Sequence, residues 1–253
     1  MEKITSRKNR YIAHLRALAA DASYRRESGE FVCCGRKMLG EALSFGAEIV
    51  SVLWKEGGFG GEIACGEQYL APAELFDYAS SMKNSPGPLF TVRIAERDRR
   101  GAANAVVLEN VQDPGNVGTL VRTASAFDID AVVLVGSCAD LYNPKTLQAS
   151  MGAVFRQRVL RMEPGELRSW LEESSLPLYG AALSDGAADI RDLPLARAAV
   201  AVGSEGRGLS DGLLAMCAGR LIIPMEACSE SLNAAVAGSL VMWEMYRKTA
   251  GRR

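Results

Sequence analysis

From residue 105 onward the chain alternates between two hydrophobic patterns. Short, almost uniformly apolar runs occur at AVVLENV (105–111), AVVLVG (131–136), LYGAAL (178–183), AAVAVG (198–203) and RLIIP (220–224). Runs of this length and uniformity read as strands buried on both faces. Between them apolar residues recur every three or four positions. That spacing predicts helices starting at Asn116, near 144–151, over 164–174, from Leu209, and from about Ser231 to Lys248. Apolar strands separated by amphipathic helices predict an α/β fold with a parallel sheet covered on both faces.

The first hundred residues follow a different rhythm. Ile12, Leu15, Leu18 and Ala19 lie at helical spacing and predict a helix over 5–28. FVCCG (31–35) reads as a strand, KMLGEALSFG (37–46) as a helix ended by Gly46, and IVSVLW (49–54) as a second strand. A glycine-rich turn follows at Gly57–Gly61, then a helix with proline in its first turn over 72–82 and a strand over 88–94. The charged stretch ERDRRGAAN (96–104) reads as a linker. The expected organisation is therefore a small α/β domain over 1–97 and a larger parallel-sheet domain over 104–253.

A length of 253 residues accommodates two such domains. At 48% apolar and 23% charged the composition is that of an ordinary globular protein. No stretch approaches the roughly 18 uninterrupted apolar residues of a membrane span. MEKITSRKNRYIAHL lacks the apolar core of a signal peptide, so the cytoplasm is the expected compartment. The six cysteines form no C-x-x-C pair and no metal spacing, and read as small hydrophobes in a reducing environment. The single histidine, His14, lies far from the polar turns of the second half, which argues against a histidine triad or a zinc site there.

A net charge of −1 does not advertise a nucleic-acid partner, but its distribution does. Residues 1–40 hold nine Lys or Arg against four acids, leaving an excess of acids in the rest of the chain. Local basic surface attracts phosphates whatever the global charge. Arg7, Lys8, Arg10, Arg25 and Arg26 are the candidate contacts.

Three polar turns, each between a strand and a helix, carry the candidate chemistry. They are DPGNVGTLVRTASAF (113–127), GSEGRGLS (203–210) and IIPMEACSESLN (222–233). None is a phosphate loop, and no G-x-G-x-x-G follows a strand, which disfavours a dinucleotide-dependent oxidoreductase. In the first turn, Pro114 and Gly115 precede a helix that Asn116 is expected to open and cap, with Arg122 six residues further on. The second has three glycines around one carboxylate, Glu205. The third leads into the last helix through Ser231, Leu232 and Asn233.

In order and spacing the three turns resemble the signature motifs of the SpoU/TrmH-type RNA ribose 2′-O-methyltransferases of the SPOUT superfamily. The resemblance covers about residues 104–250. The phrases TSRKNRYIAHLRAL, KMLGEAL and KNSPG likewise resemble the ribosomal-protein-like substrate-binding domain often found ahead of that fold. The chain departs from the family pattern at Cys34, where an acidic residue is frequent, at Ala227, where glycine is usual, and at AAVA (234–237), where VSVA is common.

The resemblance implies a deep trefoil knot in the C-terminal domain, S-adenosylmethionine as cofactor, a structured RNA (rRNA or tRNA) as substrate, and a homodimer paired through the C-terminal domains. The apolar residues spread around the last helix (Leu232, Val236, Leu240, Val241, Trp243, Met245) suit a helix buried on two sides. By the same resemblance Asn116, Arg122, Glu205, Ser231 and Asn233 form the catalytic set. Gly203, Leu209, Ile223, Pro224, Met225 and Leu232 line the cofactor site, and no metal is implied. Arginine stays protonated in proteins, so Arg122 is a poor base and suits stabilisation of a developing alkoxide or orientation of a phosphate. The competing reading is an RNA-binding, ribosome-assembly protein without catalysis. The presence of Asn116, Arg122, Glu205 and Asn233 argues against it.

Overall fold

The computed structural model describes residues 1–58, 63, 66–80, 82, 85–96, 98–184, 186–226 and 231–250. The expected turn at Gly57–Gly61 and the KNSPG phrase lie only partly within these residues, and Ala227, Cys65 and Cys228 lie outside them. The chain divides into two compact units. One comprises Met1–Glu96 with Asp140–Phe155, the other Arg97–Ala139 with Arg156–Arg253.

The first unit is built on a mixed sheet of five strands. In chain order its elements are β1 (Glu2–Lys3), α1 (Arg10–Ala20), α2 (Ala22–Ser28), β2 (Glu30–Cys34), α3 (Arg36–Ser44), β3 (Ile49–Lys55), β4 (Glu67–Ala71), α4 (Ala73–Ala79) and β5 (Leu89–Arg93). The strand order is β1-β4-β3-β5-β2, parallel from β1 to β3 and antiparallel from β3 to β2. Ile12, Leu15 and Leu18 of α1 and Leu75 and Phe76 of α4 bury against Val32, Leu53 and Leu89 of the sheet. The helix expected over 5–28 is two helices. Asp21 adopts an extended conformation, ends α1, and accepts from the Ser23 and Tyr24 N–H groups to start α2. The short strands β1 and β4 lack an alternating apolar pattern, so periodicity did not mark them.

A segment distant in sequence completes this unit. Tyr142 stacks on Phe31 with ring centroids 4.5 Å apart. Arg25, only 3% exposed, donates from Nε to Asp140 Oδ2 at 2.8 Å and from Nη1 to the Leu18 carbonyl. Arg25 is therefore internal, and the expectation that it contacts RNA is corrected. A guanidinium buried on a carboxylate and a carbonyl presents no free charge to a phosphate.

The second unit contains β6 (Ala105–Glu109), α5 (Pro114–Ala126), β7 (Ala131–Val135), β8 (Val159–Met162), α7 (Pro164–Ser174), β9 (Leu178–Ala181), β10 (Ala188–Asp189), β11 (Ala199–Val202), α8 (Asp211–Leu214), β12 (Gly219–Ile222) and α9 (Ala234–Ala250). The helix Pro144–Ser150, numbered α6 in chain order, belongs to the first unit. The strand order is β10-β12-β9-β11-β6-β7-β8, and every pairing is parallel. The apolar runs at 105–109, 131–135 and 199–202 are buried throughout, as their composition predicts. Trp170, Leu167 and Leu171 of α7 join the core on the β8 side. Because all strands run one way, the turns that follow β6, β11 and β12 leave from one edge of the sheet, the edge at which open parallel sheets bind ligands.

Candidate active site

The first polar turn is organised by a cap that the sequence pattern misplaced. Asp113 is the N-cap of α5 and accepts from the Asn116 N–H at 2.8 Å, with Pro114 at the first helical position. Asn116 is thus inside the first turn, not at the cap, and its side chain is free to act elsewhere. Its Nδ2 donates to Glu205 Oε1 at 2.7 Å, across 89 residues of sequence. Asn233 donates to the same carboxylate oxygen at 2.5 Å and to Asn116 Oδ1 at 3.3 Å. The Ala234 N–H reaches that oxygen as well, at 3.3 Å. With its own Oδ1, Asn233 accepts from the Ala235 and Val236 N–H groups, which starts α9. One carboxylate oxygen therefore gathers all three polar turns.

The second turn doubles back on itself. The Gly208 N–H donates to the Ser204 carbonyl at 2.9 Å, and Gly208 has a φ of 65°. A Cβ at Gly203 would lie 2.2 Å from the Gly208 backbone, so only glycine permits this crossing. The loop is pinned at its far end by a residue that sequence reading missed. Glu109, 5% exposed at the end of β6, accepts from both Ser210 N–H (2.7 Å) and Ser210 Oγ (2.6 Å). Ser210 in turn caps α8. Glu109 sits inside an apolar strand run, and its partner lies 101 residues away. No local signal linked them.

Two cavities flank the cluster. One, of about 410 Å³, is walled largely by Val202, Leu209, Leu214, Leu221, Ile222, Ile223, Met225 and Leu232, together with Gly203, Ser231 and Ala182–Ser184. The other, of about 340 Å³, is polar and is lined by Asn110, Gln112, Asp113, Asn116, Ser137 and Gly206 among others. Ser204, Glu205, Arg207 and Ala234 line both. The larger cavity has the size and apolar character of a small-molecule site. One observation marks it as a place for a ligand with polar groups: Ser184 Oγ, in its wall, is buried and has no hydrogen-bond partner among the described residues. An apolar wall for a flat ring, backbone-rich turns and an unsatisfied hydroxyl fit an adenosine-type cofactor. Among the described residues no cluster of His, Cys, Asp and Glu suits a metal ion.

The predicted residues fall into three groups. Gly203, Leu209, Ile223, Met225, Leu232 and Ser231 line the larger cavity, and Glu205 belongs to both cavities. Asn116 and Asn233 meet at Glu205. Pro224 and Arg122 stand apart. Pro224 is exposed and absent from the cavity wall. Neighbours along an extended chain point to opposite sides, so a residue between Ile223 and Met225 turns away. Arg122 is on the exposed side of α5, and lines neither cavity. Two turns of helix beyond the cap carry it out of the cluster. The residues that the sequence did not nominate are Glu109, Ser184, Arg207 and Asn110. Asn110 has a φ of 55° and accepts from the Ser137 N–H at 2.8 Å, shaping the rim of the polar cavity.

Residues 103–243 match the SpoU rRNA Methylase family. The 23S rRNA (guanosine(2553)-2′-O)-methyltransferase RlmP of Bacillus subtilis (strain 168) is 29% identical, over 97% of this chain and 99% of that one. Among solved structures, an RNA 2′-O ribose methyltransferase superposes with a TM-score of 0.83 at 28% identity, over 98% of this chain and 99% of the other. The AdoMet-bound rRNA methyltransferase from Sinorhizobium meliloti superposes with a TM-score of 0.87, covering 97% of each chain; at 23% identity it bears on the fold alone.

Proposed function

The chain belongs to the SpoU rRNA Methylase family, and from that premise we propose how its own residues carry out S-adenosylmethionine-dependent 2′-O-methylation of a nucleotide in rRNA. The similarity to an rRNA methyltransferase runs the full length of the chain, which favours rRNA over tRNA. The observation that carries the assignment is the meeting of Asn116, Glu205 and Asn233 beside the 410 Å³ cavity.

The cofactor, when bound, supplies an electrophilic methyl group. Gly203, Leu209, Ile223, Met225 and Leu232 would hold it, with Ser184 offering a hydroxyl that has no partner among the described residues. The target ribose enters from the polar cavity, which shares the wall formed by Ser204, Glu205 and Arg207. Glu205 orients the amides of Asn116 and Asn233 so that the wall keeps one shape, a preorganisation that costs nothing at the moment of reaction. Arg122 lies outside this cluster. It acts on the RNA side, holding a phosphate next to the attacking hydroxyl, so the hydroxyl proton leaves to a phosphate oxygen or to water.

The reading extends to the assembly. The C-terminal unit carries the trefoil knot of its family; the strand order supports it, since β12, the last strand, lies inside the sheet between β10 and β9. The protein pairs as a homodimer through α9. Val241, Met242 and Met245 of α9 are fully buried, while Val236, Leu240, Trp243 and Tyr246 are 37–49% exposed on the same helix. An apolar stripe left open on a helix already packed on its other side is the mark of a second partner. The first unit selects the RNA through Arg7, Lys8, Arg10 and Arg26, all exposed. The reaction takes place in the cytoplasm. Calorimetry tests the cofactor assignment: S-adenosylhomocysteine should bind saturably and NAD should not. A folded protein that ignores S-adenosylhomocysteine at millimolar concentration would refute it.

A further inference from the structure

Three elements of the first unit converge on one ring. Tyr78 is half-buried near the end of α4. The Arg16 guanidinium, from α1, lies over the Tyr78 ring with its carbon 4.1 Å from the centroid. The Arg7 guanidinium lies over the same ring at 4.6 Å. Arg7 is held there by the turn before α1, in which Lys8 N–H donates to Ser6 Oγ and Asn9 N–H to the Ser6 carbonyl. Both arginines are exposed, and neither has a carboxylate within ion-pair distance among the described residues. The nearby Asp77 carboxylate is already paired, with Lys55 at 2.7 Å.

This arrangement has an electrostatic cost that the fold does not relieve. Stacking on an aromatic face attracts each guanidinium. Holding two of them over one ring sets like charges against each other, and an acidic side chain would be the ordinary remedy. None is supplied. The N–H groups of a guanidinium lie in its plane, so a face occupied by the ring leaves the donor edge for another acceptor. Two donor edges with no counterion among the described residues suit a ligand carrying closely spaced, singly charged phosphodiesters.

We propose that Arg7, Tyr78 and Arg16 form a phosphate clamp for the RNA backbone, in which the tyrosine orients the two arginines. The proposal rests on the RNA-methyltransferase reading and adds to it a defined contact surface. It gives Arg16 and Tyr78 roles, although neither is among the basic residues nominated from sequence. The clamp reads backbone charge, so it positions the RNA and does not choose its sequence.

The test uses the full-length protein and a mixed-sequence single-stranded 20-nucleotide RNA, with affinity measured across salt concentrations. A strand of the same sequence with a methylphosphonate backbone serves as the uncharged control. Arg7→Gln and Arg16→Gln should each lower the slope of log affinity against log salt by about 0.7, as expected for one lost phosphate contact on a single strand. Neither change should affect the already weak binding of the uncharged strand. Tyr78→Leu should weaken binding with both charges still present, whereas Tyr78→Phe should match the wild type. Melting temperatures verify folding, and the exposed arginine variants decide the question even if Tyr78→Leu fails to fold. S-adenosylhomocysteine affinity, measured on the same samples, keeps the two ideas separable. Wild-type slopes in both arginine variants would overturn the clamp while leaving the transferase reading intact. Loss of cofactor binding in the wild type would overturn that reading instead. Stronger binding to anionic phosphatidylserine vesicles than to RNA would also overturn the clamp.

Discussion

The two units solve opposite problems with polar groups. In the parallel-sheet unit, residues separated by up to 117 positions are tied together on one carboxylate oxygen, and glycine at 203 lets the backbone cross itself. In the mixed-sheet unit, charge faces outward on Arg7, Lys8, Arg10 and Arg16, while Arg25, taken inside, is committed to Asp140. The first arrangement suits a small ligand whose atoms need fixed partners. The second suits a polyanion, where net charge and spacing matter more than any single contact. Chemistry and substrate capture should therefore be separable by mutation.

Arg122→Ala offers the sharpest break. It should lower methyl transfer about 10²–10³-fold, the cost typical of losing one preorganised charge-stabilising group. Affinity for S-adenosylhomocysteine should stay unchanged, because Arg122 lines neither cavity. Single-turnover rates and calorimetry check both halves, and a fall in cofactor affinity would place Arg122 on the wrong side of the site. In the other unit, Asp140→Asn leaves the buried Arg25 without its counter-charge. The expected loss is about 3 kcal/mol, the low end for breaking a buried pair, since Asp140 keeps 30% of its side-chain surface in water. Urea unfolding should show it, with cofactor binding intact in the folded protein. Ser184→Ala should have the smallest effect. One neutral hydrogen bond is worth about 1 kcal/mol, so S-adenosylhomocysteine should bind roughly fivefold more weakly. Unchanged affinity would mean that the buried hydroxyl is satisfied in some other way.

The legibility of the sequence differed between the units for a physical reason. A parallel strand buried on both faces is apolar throughout, so the runs at 105–109, 131–135 and 199–202 announced themselves, and the polar turns that follow β6, β11 and β12 stood out against them. The turns were found this way, and the roles of Gly203, Glu205 and Asn233 came from the resemblance of those turns to the SpoU/TrmH motifs. Contacts made across the sheet were not. Glu109 reads as a blemish in an apolar run until Ser210 is seen on it, and Ser184 has no motif at all. In the first unit a count of positive charges could not separate Arg25 from its neighbour Arg26, because burial against Asp140 depends on a segment 115 residues away. Asn116 was read as a helix cap because asparagine suits that position. The cap is Asp113, and it is this that frees the Asn116 amide for Glu205.

The most direct test of the central claim is the fate of a labelled methyl group. Purified protein, S-adenosylmethionine carrying a tritiated methyl and unmethylated rRNA should yield labelled RNA, and Glu205→Ala should abolish the incorporation. After alkaline hydrolysis the label should remain in a dinucleotide, because a 2′-O-methyl ribose cannot assist cleavage of its own phosphodiester. Label released in mononucleotides would place the methyl on a base and contradict the account.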